Sequence, residues 1–251
     1  MANEKIAFIS GANRGIGLET ARGLAKKGIT VLIGSRDKAK GEAAAAQLKK
    51  EGSGNVEAVQ FDVNNYDDHV RLAKFLGDRF GRLDILVNNA GIAIDDVDFS
   101  NPKGFNTTST VPMAKLRQTF DTNFFAVVAL TQALLPLIKK SPAGRIVNLS
   151  SVLGSLALHA DPKGDLANFK AFAYDASKSA LNAFTIHLAA ELRDTNIKVN
   201  SAHPGWVKTD MGGPSAPLEL PEGGKTSIEL ATLGADGPTG GYFHLGQTLP
   251  W

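Results

Sequence analysis

Tyr174 and Lys178 stand four residues apart in the run Tyr174-Asp175-Ala176-Ser177-Lys178. On a helix that spacing puts both side chains on one face, within reach of each other. Alone the pair is a weak signal, because an exposed helical face gives the same spacing. Ser150-Ser151 closes an earlier apolar run, however, so hydroxyls, a phenol and an ammonium can converge on one point. The chemistry they support is carbonyl reduction: hydride delivery leaves negative charge on the substrate oxygen, and a positioned donor must neutralise it as it forms. A free phenol, with a pKa of ~10, is a poor acid at neutral pH. A cation ~4 Å away at an effective dielectric of ~20 contributes up to ~4 kcal/mol, enough in the limit to bring that pKa to ~7. Tyr174 is therefore expected to be acidified by Lys178 and to act as general acid in reduction and general base in alcohol oxidation, while a serine hydroxyl holds the substrate oxygen.

A hydride needs a carrier, and Gly11-Ala12-Asn13-Arg14-Gly15-Ile16-Gly17 has the form of a loop that holds one. It follows a short apolar run and opens a helical pattern, the context that a phosphate-cradling loop requires. Gly11 permits the sharp turn, Gly15 the approach of backbone N–H groups to a pyrophosphate, and Gly17 close packing of helix on strand. Charge at the end of the second predicted strand selects the dinucleotide. An enzyme preferring NAD usually carries an acidic side chain there, which would repel a 2′-phosphate. This chain has Gly34-Ser35-Arg36, so Ser35, Arg36 and Arg14 are expected to meet that phosphate and favour NADPH/NADP+. Asp37 is the residue that could oppose this by turning inward.

The elements that must position these residues alternate in type. Apolar or β-branched runs at Lys5 to Ser10, Thr30 to Gly34, Val56 to Phe61, Asp84 to Val87, Arg145 to Ser150 and Ile197 to Ala202 read as strands. Helical patterns fill the intervals at about Ile16 to Lys27, Lys38 to Glu51, Tyr66 to Phe80, Phe120 to Lys139 and Tyr174 to Asp194. That alternation is the sequence form of an α/β fold: one domain over 1–251, a Rossmann-like doubly wound parallel sheet with helices on both faces. Residues 1–150 carry most of the cofactor site. The irregular segments 92–119, 152–173 and 206–224 each follow a strand and are expected to wall the substrate site, the last as a mobile surface segment. Their apolar residues Ile92, Ala93, Ile94, Val152, Phe172, Trp206 and Met211 predict a small hydrophobic aldehyde or ketone as partner. Gly223-Gly224-Lys225-Thr226 imitates the end of a Walker loop, but Glu219 stands where the first glycine belongs, so it reads as the start of a helix running to about Leu233.

Composition narrows the rest. With 251 residues the chain can bury a large core without staples, and with no cysteine it has no disulfide, thiolate metal site or cysteine nucleophile. No HExxH is present, and none of the five histidines follows a GxSxG elbow, so neither a metal site nor a hydrolase is expected. The net charge of +2, with no like-charge run, gives no nucleic-acid footprint. Met1 to Ser10 does not read as a secretory signal. The apolar stretch Phe124 to Ile138, interrupted by Thr131, Gln132 and Pro136, reads as a buried helix rather than a membrane span. A cytoplasmic protein is expected, and the triplets Asn106-Thr107-Thr108 and Asn148-Leu149-Ser150 are then chance glycosylation matches.

Over nearly its whole length the chain resembles a classical short-chain dehydrogenase/reductase. The resemblance is carried in order by Ser10-Gly11-Ala12-Asn13-Arg14-Gly15-Ile16-Gly17, Asp62-Val63, Asn88-Asn89-Ala90-Gly91, Asn123, Ser151, Tyr174-Asp175-Ala176-Ser177-Lys178 and Pro204-Gly205. Within the family it is most similar to the carbonyl reductases and the plant menthone and salutaridine reductases, through Thr122-Asn123-Phe124-Phe125, Pro204-Gly205-Trp206-Val207-Lys208-Thr209-Asp210-Met211 and Trp251. The resemblance implies a catalytic tetrad of Asn123, Ser151, Tyr174 and Lys178, with Lys178 also on the nicotinamide ribose and Asn123 holding a water that resupplies protons. It implies Asp62 and Val63 at the adenine, Asn89, Ala90 and Gly91 along the cofactor, and Pro204, Gly205, Val207 and Thr209 beside its carboxamide and phosphates. The 22 residues between Ser151 and Tyr174 exceed the about a dozen of a typical member. That length leaves a homo-oligomer, dimer or tetramer, and a monomer all open. Two other activities fit the same residues, a β-ketoacyl thioester reductase and a non-catalytic NADP-binding sensor.

Overall fold

The computed structural model describes residues 4–52, 54–95 and 108–251. Residues 1–3, Ser53, the 96–107 part of the expected pocket wall and, with it, Asn106 and Thr107 lie outside the described residues. Strands β1 (Ile6–Ile9), β2 (Thr30–Ser35), β3 (Val56–Gln60), β4 (Ile85–Asn88), β5 (Arg145–Leu149) and β6 (Lys198–Ala202) alternate with α1 (Gly15–Lys26), α2 (Lys38–Lys50), α3 (Tyr66–Phe80), α4 (Met113–Phe120), α5 (Ala126–Ile138), α6 (Leu156–Ala160) and α7 (Phe172–Glu191). Then follow α8 (Leu220–Gly223), α9 (Lys225–Ala231), β7 (Tyr242–His244) and β8 (Gln247–Thr248). The strands form one sheet in the order β3-β2-β1-β4-β5-β6-β7-β8, parallel except for the last pair.

The strands are apolar on both sides because both faces are covered. Successive residues of β1 point oppositely: Ala7 and Ile9 pack with Leu24 of α1, Leu48 of α2 and Leu230 of α9, whereas Ile6 and Phe8 pack with Leu72 of α3, Leu134 of α5 and Leu188 of α7. Strand order reverses between β1 and β4, with Ala7 beside Val31 on one side and Ile85 on the other. The connections therefore part there, and a crevice opens beyond the carboxyl ends of the strands. Local chemistry sets the helix limits. Asn65 caps α3 by accepting from Asp67 N, and Gly81 ends it at φ +72°.

The structure departs from the sequence expectations at four places. The apolar helix starts at Met113 rather than Phe120 and runs through a π-helical turn, Asp121–Phe125, into α5. Its 26 residues are long and apolar enough to cross a membrane by length and composition, and half of its most apolar window is buried inside the fold. The helix expected to Leu233 is split at Gly224, because a Cβ there would lie 3.1 Å from the Glu19 backbone, so α8 and α9 pack flush on α1. The 206–224 segment is tied at both ends, Lys208 N donating to Leu218 O at 2.9 Å and Leu218 N to Trp206 O at 3.2 Å. Finally, regular structure does not close at Ala202. The β7 ring of Tyr242 is fully buried and stacks on Trp251 at 5.5 Å, and β8 returns through a two-residue turn, Leu245-Gly246, at φ +46° and +78°. The sheet thus ends in an exposed two-residue strand at one edge, and at the other in β3, where Glu57 pairs with Arg79 of α3.

Candidate active site

The crevice holds a cleft of about 1090 Å³. Its floor at the β1 end is the glycine loop. Gly11 and Gly15 take φ of +63° and +59°, a region costly for a residue with a Cβ. A Cβ on Gly17 would come within 2.5 Å of Asn89 Nδ2, which shows how closely α1 and the β4 end approach. The two strand ends are stitched by Ser10, whose hydroxyl accepts from the N–H groups of Asn89 and Ala90, both at 3.1 Å. Asn89 Nδ2 returns to the carbonyls of Ser10 (2.9 Å) and Gly11 (3.0 Å). Helix α1 begins with no side-chain cap and no acidic residue in its first turn, so its positive amino end faces the cleft open to an anion.

At the end of β2, Arg36 lines the cleft and is exposed. Asp37 does not turn inward. Its carboxylate accepts from Lys40 N at 3.0 Å and caps α2. Ser35 corrects an expectation: it is buried, its hydroxyl donates to Asp37 O at 2.7 Å, and it does not line the cleft. Arg14 reaches across the mouth to pair with Asp210, so the glycine loop and the 206–224 segment meet over the opening. Asn13, Ile16, Asp62, Val63, Gly91, Pro204, Gly205, Val207 and Thr209 also line the cleft.

Ser151, Tyr174 and Lys178 come together further in. Ser151 is the turn residue after β5 and hydrogen-bonds with Tyr174 through its side chain. The turn lies flat on α7, since a Cβ on Gly154 would sit 2.7 Å from Lys178 Cβ. Lys178 Nζ donates to Leu149 O at 2.8 Å and lies 5.6 Å from the centre of the Tyr174 ring. Electrostatically the site runs opposite to the expected direction. Burial pushes the Tyr174 phenol up to about 12, the Ser151 hydrogen bond opposing it. Burial likewise draws Lys178 down to about 8. In a dry site the neutral form of each group is favoured, and the ammonium is directed at a carbonyl rather than at the phenol oxygen.

Asn123 does not line the cleft. It is fully buried on the π-helical turn, where Oδ1 accepts from Ile92 N (2.8 Å) and Nδ2 donates to Ile92 O (2.8 Å) and Ser177 Oγ (3.0 Å). The amide thus pairs with Ile92 as a neighbouring strand would, and its side chain fixes the cleft wall. Ile92, Ala93, Val152, Trp206 and Met211 stand in the wall as expected. Ile94 and Phe172 do not. Asp95 accepts from the N–H groups of Ala173 (3.1 Å) and Tyr174 (3.0 Å), drawing the chain beside Ile94 to the start of α7, and Phe172, two residues before Tyr174, lies about 200° around the helix from it. Leu153, Asp165, Leu166, Phe169 and His203 line the cleft without having been singled out. Leu166 and Phe169 lie in an irregular run that has no periodicity to betray them. His203 accepts from Val152 N at 3.3 Å, and burial drives its pKa down to about 3, so it stays neutral. Among the described residues no cluster of His, Asp or Glu could hold a metal ion.

Residues 5–219 match the family model described as short chain dehydrogenase. The chain is 33% identical over 300 residues to "Short-chain dehydrogenase/reductase 1" of Saponaria officinalis, covering 100% of this chain and 97% of that protein. It is 33% identical over 288 residues to "Carbonyl reductase [NADPH] 1" of Rattus norvegicus, covering 100% and 99%. The solved structure "Carbonyl reductase Sniffer of D. melanogaster" superposes with a TM-score of 0.82 at 32% identity, over 99% of this chain and 100% of that one. A full-length match of this kind joins the Rossmann-like sheet to the motifs already placed around the cleft, and the chain belongs to the short-chain dehydrogenase family.

Proposed function

We propose that the chain is an NADPH-dependent oxidoreductase that reduces small hydrophobic ketones or aldehydes to alcohols, with Tyr174 as proton donor. The observation that carries the reading is a single cleft with an anion-ready helix end and two arginines at one end and Ser151, Tyr174 and Lys178 at the other. The rat relative's NADPH and carbonyl chemistry accord with it. The residues fit the cofactor: the amino end of α1 opens on the cleft with no side-chain cap and no acidic residue in its first turn, Arg14 and Arg36 suit a 2′-phosphate, and Asp37 faces α2 instead. Gly11 to Gly17 would hold the pyrophosphate, Asp62 and Val63 the adenine, and Asn89 to Gly91 with Val207 and Thr209 the remainder, with the cofactor half in 1–150 and the substrate loops within one domain. When bound, the nicotinamide supplies the hydride.

The protein's own part is the proton and the oxygen. A phenol held up at about 12 is fully protonated at neutral pH, yet it is a stronger acid than the product alcohol, so transfer from Tyr174 to the alkoxide oxygen that hydride addition leaves runs downhill. Ser151 shares the phenol's hydrogen-bonding position and holds the carbonyl oxygen beside it. Lys178, protonated below about 8, keeps positive charge near the developing anion. This balance of protonation favours reduction over oxidation at neutral pH. Asn123 acts through Ile92 and Ser177. The test is NADPH oxidation over aldehydes, aromatic ketones, terpenoid ketones, β-keto esters and β-ketoacyl thioesters, run beside Tyr174→Phe. Turnover of apolar ketones, reduced about 10²- to 10⁴-fold in the variant, is expected. Full turnover by Tyr174→Phe sinks the proton assignment, and a preference for thioesters replaces the substrate class.

A further inference from the structure

Beside the catalytic serine, the cleft wall holds a polar side chain that the proposed proton transfer does not use. His203 follows β6, is buried to 9% exposure and lines the cleft. Strand register sets its place. Leu149 of β5 pairs with Ala202 of β6, and Ser150 N donates to Ala202 O at 2.8 Å, so His203 leaves β6 where Ser150 and Ser151 leave β5. Its backbone is held from the other side as well, His203 N donating to Phe243 O at 2.8 Å and His203 O accepting from His244 Nδ1 at 2.9 Å.

The ring is fixed as firmly as the chain. Val152 N, the residue after Ser151, meets Nδ1 at 3.3 Å. An amide N–H can only donate, so Nδ1 is the acceptor and the proton of the neutral ring sits on Nε2. An imidazolium would set two N–H groups against each other at this contact, so the hydrogen bond itself demands the neutral ring. Burial and the His244 ring, 4.9 Å away, act in the same direction. Among the described residues no group accepts from Nε2. A buried donor left unpaired is costly, so this N–H discriminates against a ligand that brings no acceptor to it.

We propose that His203 is a specificity-determining residue for the reduction: its Nε2–H donates to a second oxygen of the substrate, so that ketones bearing an ester or carbonyl group close to the reacting carbonyl are preferred over plain alkyl ketones. The proposal rests on the carbonyl-reductase reading, which leaves the reacting oxygen to Ser151 and Tyr174. Val152, whose N–H fixes the ring, stands in the substrate wall, which assigns the donor to the substrate rather than to the cofactor. The test is kcat/KM for ethyl acetoacetate against methyl pentyl ketone, a pair matched in chain length, in the wild type, His203→Asn and His203→Gln. The shorter amide keeps an acceptor near the Nδ1 position and places nothing at Nε2, whereas the longer one returns an N–H donor there. The ratio of the two substrates is expected to fall about three- to tenfold in His203→Asn and to return towards the wild-type value in His203→Gln. Both substrates are read on one preparation, so the ratio does not depend on how much of a variant is folded.

A second readout needs neither a variant nor turnover, and it decides the matter if His203→Asn does not fold. Nitrogen NMR of the wild type with NADP+ should show His203 with a protonated Nε2 and a bare Nδ1. The Nε2 resonance should move on addition of ethyl acetoacetate and stay in place with methyl pentyl ketone. A substrate ratio unchanged in His203→Asn, or lowered equally in both variants, overturns the proposal alone, as does a proton found on Nδ1. A change confined to KM for NADPH gives the donor to the cofactor and overturns it equally. No turnover of any carbonyl compound by the wild type overturns the underlying reading, and the proposal with it.

Discussion

Arg36→Ala probes the recognition of NADPH where the structure makes the most specific claim about it. Two cations line the end of the cleft proposed to take a 2′-phosphate, and they are not equivalent. Arg14 is already paired with Asp210 and must give up that partner, whereas Arg36 lines the cleft with no such ion pair among the described residues. A charge-assisted contact contributes about 1.5 to 3 kcal/mol. Because Arg36 is solvent-exposed, the lower end applies, about 1.5 kcal/mol, which is roughly tenfold in kcat/KM for NADPH. Arg36→Asp adds repulsion of similar size and should lose about 100-fold. NADH lacks the phosphate, so its kcat/KM should move by no more than about twofold in either variant. Ser35→Ala is the internal control: its hydroxyl serves Asp37 O, so the variant should lose about 1 kcal/mol of stability and leave the NADPH-to-NADH ratio unchanged. Initial rates with both cofactors at fixed ionic strength decide the matter. Equal losses with NADPH and NADH in Arg36→Ala, or a changed ratio in Ser35→Ala, would refute the account of this corner.

Asn123→Ala removes the clamp on Ile92 and strands its partly buried N–H and C=O; about 2 kcal/mol of stability should go with it, read as a Tm roughly 4 to 8 °C lower, and the activity loss should track that unfolding. Lys178→Met should abolish reduction yet raise Tm at pH 7. The lysine's pKa drops to about 8 on folding, so the folded state binds the proton less tightly than the unfolded chain does, and wild-type stability should climb between pH 8 and 10.4 while that of the variant stays flat. Leu245 holds φ +46° at a half-exposed turn position, so Leu245→Gly should stabilise by about 0.5 to 1 kcal/mol, a Tm gain of roughly 1 to 4 °C. A lower Tm in Leu245→Gly would mean that the leucine side chain outweighs its backbone.

Much of this molecule can be read from the order of its residues. The parallel strands announce themselves because burial on both faces demands unbroken apolar runs, and the glycine loop because its turn, close approach and packing each demand a residue without a Cβ. Tyr242 to His244 is silent for the opposite reason: three residues after Gly240-Gly241 carry too little pattern, and their strand forms against the edge that β6 offers. The π-helical turn at Asp121–Phe125 shifts the inward face by one residue and turns Asn123 into the sheet-like partner of Ile92, a displacement that no spacing rule contains. Spacing reports the proximity of Tyr174 to Lys178 but not its burial, and burial sets the sign of the shift. Ser35 turns away from the cleft because the side on which a strand's last residue points depends on the helix beyond it.

The ends of the sheet have a consequence for the protein in crowded solution. A two-residue antiparallel strand closes one margin, and at the other Glu57 and Arg79 bring charge to the rim, so neither offers a long bare ladder of amide groups on which a foreign strand could dock. Self-association by strand addition is thereby discouraged at both margins. Any encounter between copies is left to helix surfaces and side chains, whose chemistry can change without disturbing the backbone register that holds the cleft open.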